Sequence, residues 1–170
     1  MADEKRLHTV CFTGQRVIPQ DRYEALKVQL TDLLDDLISQ GYCYFGCGGA
    51  LGFDTLAAQT VLNLKEKHPH IKLILVLPCY DQFKGWLEKD LKDFNYVLKK
   101  ANKVVYVEKN YTPECMFKRN RHLVDNSSLC ISYLTKNTGG TAYTVNYAKE
   151  KGVKIINLCY NNLVKQFLVK

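Results

Sequence analysis

Short apolar runs alternate with longer amphipathic stretches along this chain. Residues 7–13 (LHTVCFT) predict a strand. Over 21–41, Leu26, Leu30, Leu33, Leu34, Leu37 and Ile38 recur at three- and four-residue spacing, the period of one helix face, and Gly41 closes the pattern. The alternation then repeats. Strands are predicted at 42–48, 71–78, 103–107, 129–134 and 153–159, with helices at 53–68, 83–101, 113–126 and 141–152 and a short terminal helix over 161–170. Pro69 stops the second helix, and Pro113 stands near the first turn of the fourth. The run IKLILVLP is apolar throughout, as a strand covered on both faces must be.

Strand and helix taking turns, with no run of hairpins and no internal linker, predicts an α/β fold. The expected architecture is a doubly wound, mostly parallel sheet of about six strands with helices on both faces. With 170 residues the chain suits a single domain over 1–170. In such a sheet the ligand crevice lies beyond the carboxyl ends of the strands, near the point where strand order reverses.

Composition changes this picture little. Apolar residues make up 46% and charged residues 24%, an ordinary mix for a water-soluble domain. No apolar run approaches the length of a membrane span, and MADEKRLH has no apolar signal core, so neither a membrane partner nor secretion is expected. Seven cysteines, an odd number mostly set within apolar runs, predict buried thiols in a reducing, cytoplasmic setting. Cys43 and Cys47 form CxxxC with no answering pair, so no metal site is expected. The formal charge of +7 is scattered over single lysines on polar helix faces, with no basic block of the kind that makes a nucleic-acid arm.

The strand ends carry the unusual chemistry. After the first strand stand Thr13, Gly14, Gln15 and Arg16; after the second, Gly46, Gly48, Gly49, Gly52 and Asp54; after the third, Pro78 to Gln82, with Asp81 among them; after the fifth, Thr135 to Thr141. Glycine-rich turns running into helix N-termini offer free N–H groups and the positive end of a helix dipole, so their natural guest is a phosphate or pyrophosphate. The loop at 46–52 is not the G-x-G-x-x-G fingerprint, because Leu51 holds the sixth position. No GK[ST] is present either, which argues against a P-loop NTPase. Asp54 has two readings, a helix cap and an acceptor for ribose hydroxyls. Arg119 and Arg121, two apart on a helix, cannot share one face; one is expected at the crevice, and Asn120 could join either. Trp86 is expected in core packing, and the four histidines show no pairing pattern.

Taken together, CFTGQR, GGALGFDTLAA, VLPCYDQ, RNRHLVDNSS and TGGTAYTVNYA resemble the YpsA-like family of the SLOG superfamily, over about residues 8–158. That superfamily also holds the DNA-processing protein DprA and the LOG-type phosphoribohydrolases. The resemblance implies a Rossmann-like fold whose glycine loops hold a nucleotide or nucleotide-derived ligand. Carried over residue by residue, it implies contacts from Gly14, Arg16, Gly48, Gly49, Ala50, Gly52, Asp54, Arg119, Gly139, Gly140 and Thr141. One departure matters. LOG-type enzymes place a glutamate just inside the helix after a PGGxGT loop, whereas here Thr138 replaces the proline and Thr144 falls near the glutamate position. The next carboxylate, Glu150, is about two turns further along.

Three functions follow. The first is a binding module, a sensor or regulatory domain for a phosphate-bearing small molecule, nucleotide or nucleotide-derived, ADP-ribose-like ligands included. It draws on the two anion-ready loops and the missing carboxylate, and it requires no cofactor. The second is a nucleoside-phosphate hydrolase with Asp54 or Asp81 as the acid. The third is DprA-like binding of single-stranded nucleic acid, which needs a basic groove with stacking aromatics, whereas most aromatics here fall on strands or core faces. Exposed helix faces and the family's habit are compatible with a homodimer.

Overall fold

A computed structural model describes residues 2–159. Six strands form one sheet: β1 (Thr9–Gly14), β2 (Tyr44–Cys47), β3 (Lys72–Leu77), β4 (Lys103–Tyr106), β5 (Leu129–Tyr133) and β6 (Lys154–Asn157). Their order is β4-β3-β2-β1-β5-β6, and every neighbouring pair is parallel. The doubly wound Rossmann-like architecture expected from the pattern is therefore present, with a wholly parallel sheet.

Between the strands run α2 (Gln20–Ser39), α3 (Phe53–Lys67), α4 (Glu88–Lys100), α5 (Cys115–Asp125) and α6 (Gly140–Glu150). Helices α2, α3 and α4 pack in a row, and α5 packs on α6. Strand β1 demonstrates both layers. Val10 and Phe12 enter a large core with Leu26, Leu30 and Leu56, while Cys11 enters a smaller one with Leu123, Val124 and Ala148. Side chains alternate across a strand, so these two cores lie on opposite faces. The five leucines and the isoleucine of the α2 pattern are all buried, as the periodicity requires.

Two local differences have physical causes. Residues 1–6 (MADEKR) have no apolar stripe and predicted no element, yet Ala2–Leu7 forms a short helix, α1, which takes Leu7 from the predicted strand and is fastened where Arg6 Nε donates to the Asp125 carbonyl at 3.1 Å. Helix α4 begins at Glu88 rather than at residue 83, because Gly85 adopts φ +81°, which a right-handed helix cannot contain. Trp86 therefore sits in the preceding turn, edge-on to Phe94 and against the larger core. The terminal helix expected over 161–170 lies outside the described residues.

Going outward from β1, the chain adds β2, β3 and β4 on one side, then crosses back to place β5 and β6 on the other. The reversal falls between β1 and β5. Beyond their carboxyl ends the two following connections part to opposite faces, which leaves a crevice.

Candidate functional site

A cavity of about 510 Å³ occupies that crevice. The turn after β1 lines it with Gly14 to Val17, the turn after β5 with Thr135 and Lys136 and then Thr138 to Thr141, and α5 with Met116, Phe117, Arg119 and Asn120. Ala50 and Asp54 arrive from the connection after β2. Thr13, Gly14, Arg16, Ala50, Asp54, Arg119, Asn120, Gly139, Gly140 and Thr141 are thus brought together from four separate stretches of chain. Pro78 and Asp81 are not part of the lining. Asp81 instead pairs with Lys84 at 3.0 Å, and that ammonium, together with the Cys79 thiol, holds its carboxyl below the usual range. Burial and the same carboxylate push the Cys79 thiol up to about 11.

The glycines after β2 face the protein's own atoms. A Cβ built at Gly48 would lie 2.4 Å from Arg119 Nη1 and 2.9 Å from Asp54 Oδ2. One at Gly49 would meet Leu77 at 2.5 Å, and one at Gly52 the Arg16 carbonyl oxygen at 2.2 Å. At Gly14 the ring of Phe53 comes equally close. These residues let two connections and a helix lie flush against one another, and the Phe53 N–H donates to the Gln15 carbonyl across the seam at 3.1 Å. Open backbone is found instead after β5, where a Cβ at Gly139 or Gly140 would meet nothing within 4 Å. Gly139 caps α6 with φ +89°, and the first amides of that helix border the cavity.

Two charged side chains are buried in the wall. Arg119 and Asp54 are each 6% exposed. Arg119 Nη1 donates to the Gly48 carbonyl, Nε to Asn120 Oδ1 at 2.7 Å, and Nη2 approaches only the Met116 sulfur at 3.9 Å. No ion pair joins it to a carboxylate among the described residues. Burial lowers the Arg119 pKa from its ordinary value, partly offset by the charge of Asp54, yet a guanidinium keeps its proton. Asp54 is not a helix cap: Gly52 holds the cap position, and Asp54 Oδ2 accepts the Ala50 N–H at 3.1 Å, bracing the loop before its helix. Burial raises the Asp54 pKa, while Arg119, the Ala50 amide and Arg16 pull it back.

Arg121, on the other side of α5, donates to the Tyr143 hydroxyl at 2.8 Å and joins α5 to α6. The helical phase separates the two arginines, placing Arg119 at the cavity. Sequence reasoning did not single out Lys136, Met116 or Phe117, and it quoted Gln15 without assigning it a role. Gln15 Nε2 is buried without a partner, and of these four only Gln15 and Lys136 carried a signal, as members of the strand-end stretches TGQR and TKNTGGT. No cluster of three or more metal-ligating side chains occurs among the described residues, and none of their helices is long and apolar enough to cross a membrane.

The comparisons agree with this geometry. The YpsA family, described as the YspA SLOG family, matches residues 18–160. The SPbeta prophage-derived protein YoqJ of Bacillus subtilis (strain 168) is 33% identical over 138 residues, covering 74% of this chain and 81% of YoqJ. DNA processing protein A (DprA) from Streptococcus pneumoniae superimposes with a TM-score of 0.65 at 18% identity, over 90% of this chain. This chain spans 50% of that protein's length. DprA from Helicobacter pylori, a protein with a single-stranded DNA binding mode, gives 0.65 at 16% identity over 99% of this chain and 76% of its own. At these identities the likeness to DprA is one of fold. The family match spans most of the chain and agrees with the motifs at its strand ends, so this protein belongs to the YpsA family of SLOG proteins.

Proposed function

We propose that the cavity between β1 and β5 binds a nucleotide or nucleotide-derived, phosphate-bearing small molecule, ADP-ribose-like ligands included, and that the protein is a cytoplasmic sensor or regulatory module. The observation that carries the reading is Arg119: a buried cation without an ion-pair partner, in the wall of a cavity that also receives the N-terminus of α6. Phosphate oxygens would supply the missing negative charge. Asp54, an acceptor on the same wall, suits ribose hydroxyls. The volume lies within the ~300–1,000 Å³ of small-molecule sites. The hydrolase alternative rests on Asp54, since Asp81 is elsewhere and Thr144 Oγ1 is occupied by the Gly140 carbonyl at 2.8 Å.

A thermal-shift panel of nucleoside mono- and diphosphates and ADP-ribose tests the reading. A ligand at a hundred times its Kd stabilises by about 2.7 kcal/mol. At ~2–4 °C per kcal/mol for a domain of this size, Tm rises by about 5–11 °C. Arg16→Ala and Asp54→Asn should shrink the rise, with no free base released. No rise with any of the panel defeats the proposal, and released base would move the assignment to the hydrolase.

A second reading, single-stranded nucleic acid, gains from one feature and from the DprA fold. Tyr80 stacks on Tyr106 with centroids 4.1 Å apart at 19°, and Tyr80 is 55% exposed, so its outer face is open to a base. Binding of oligo(dT) that weakens steeply with salt and is lost in Tyr80→Ala would favour it.

A further inference from the structure

On the face of β2, β3 and β4 that α5 partly covers, a second cavity, about 170 Å³, lies between α1 and α5. Its floor is apolar. Gly46, Ile74 and Lys103 are register partners across β2, β3 and β4, and Val76 and Val105 form the next row. Leu123 of α5 settles onto the space beside Gly46, where a Cβ would lie 3.0 Å from its methyl group. Beyond Leu123, Ile74 and Val105 remain half-buried rather than covered by a helix. The rim is cationic: Lys5, Arg6 and Lys103 border the groove, with the His122 imidazole beside them, and no aspartate or glutamate lines it.

We propose that this groove is a second ligand site, for a small monocarboxylate with a short apolar tail. An apolar floor under a rim of one sign selects an amphiphile of the opposite sign. A nucleotide is too polar for the floor, and the volume is below the ~300 Å³ lower end of drug-sized sites, which limits the guest to a single alkyl chain or one ring. A second copy of the chain fits poorly, because a two-fold contact is made by the same patch on both subunits and would bring these cations together. The site is separate from the nucleotide cavity and does not depend on its reading.

The test is an amide-resolved NMR titration with octanoate, octanol and octylamine, each kept below its micelle concentration. Octanoate should shift the amides of Ile74, Lys103 and Val105, leave that of Thr141 in place, and bind at least about tenfold more tightly than octanol, the worth of one charge-assisted contact. Octylamine should not saturate. Lys103→Glu, at an exposed strand start, and Lys5→Glu, at an exposed position of α1, should each cost octanoate about tenfold or more while preserving the spectrum of the fold. Equal binding of all three amphiphiles, octanoate binding unaffected by both substitutions, or shifts mapping elsewhere overturns the proposal. So does movement of the groove amides with protein concentration alone, which marks a self-interface, and so does an absence of any shift.

Discussion

Replacing Gly52 by alanine measures whether the glycines after β2 serve internal packing. Gly52 has φ +76° and ψ −117°, a backbone region that costs an L-residue about 1–3 kcal/mol. Its new Cβ would stand 2.2 Å from the Arg16 carbonyl oxygen and 2.6 Å from that of Gln15, where ordinary contacts exceed 3.4 Å. Neither obstacle is a side chain that can swing aside, so the two connections must separate. Overpacking of this kind costs about 1–3 kcal/mol. The strained Phe53-to-Gln15 hydrogen bond adds about 0.5–1.5 kcal/mol. A total of about 5 kcal/mol lowers Tm by about 10–20 °C. Gly152→Ala is the control. Gly152 also has positive φ, +68°, but a Cβ there meets nothing within 4 Å. Backbone strain alone should cost about 1–2 kcal/mol. Urea melts of both variants at matched m-values give the comparison. Costs within about 1 kcal/mol of each other would mean that the close approach to Arg16 contributes nothing, and the packing account would fail.

Two further outcomes are expected. Asp54 has a raised pKa in the folded state, so across the window from the ordinary carboxylate value up to its own the folded chain holds more protons than the unfolded one, and stability falls as pH rises. The stability of Asp54→Asn relative to wild type should therefore climb through that window and then level off in urea melts from about pH 3 to 8; a flat or falling difference contradicts the burial argument. Asn157 accepts the Leu134 and Cys159 amides, each at 3.1 Å, and donates to the Leu134 carbonyl at 3.2 Å, pinning the start of the turn after β5. Asn157→Ala should cost about 1–3 kcal/mol and speed hydrogen exchange over 134–141 relative to α2; unchanged exchange in that turn would show that the pin is dispensable.

The fold was readable because each element carries its own period. Leu26 to Ile38 mark a helix without reference to any other residue, and an apolar run such as 71–78 marks a covered strand just as locally. Segments whose structure depends on partners were not readable in this way. Helix α1 is short and polar and is held by a carbonyl 119 positions away. The site divides along the same line. Residues after strand ends were legible as a set because parallel sheets place their ligands there, and the phase of α5 separated Arg119 from Arg121. The sequence could not say what the glycines after β2 touch. A bare Cα is required equally by a phosphate and by a neighbouring side chain, and the neighbour at Gly48 is Arg119, 71 positions distant.

The glycine loop and the buried arginine are therefore parts of one device. Gly48 lacks a side chain, so Arg119 and Asp54 can approach the same point from two sides without meeting as an ion pair. A direct pair would neutralise both charges and leave the cavity wall inert. Holding them apart keeps a desolvated cation and a desolvated acceptor available to whatever enters, at a cost in stability that the rest of the core offsets. The reversal of strand order supplies the opening, and α6 adds its free amides from the other face. On the function proposed above, a wall built this way would suit a molecule with separated anionic and hydroxyl groups. An isolated anion would answer Arg119 and leave Asp54 facing like charge, so inorganic phosphate is a poorer fit than a phosphorylated sugar.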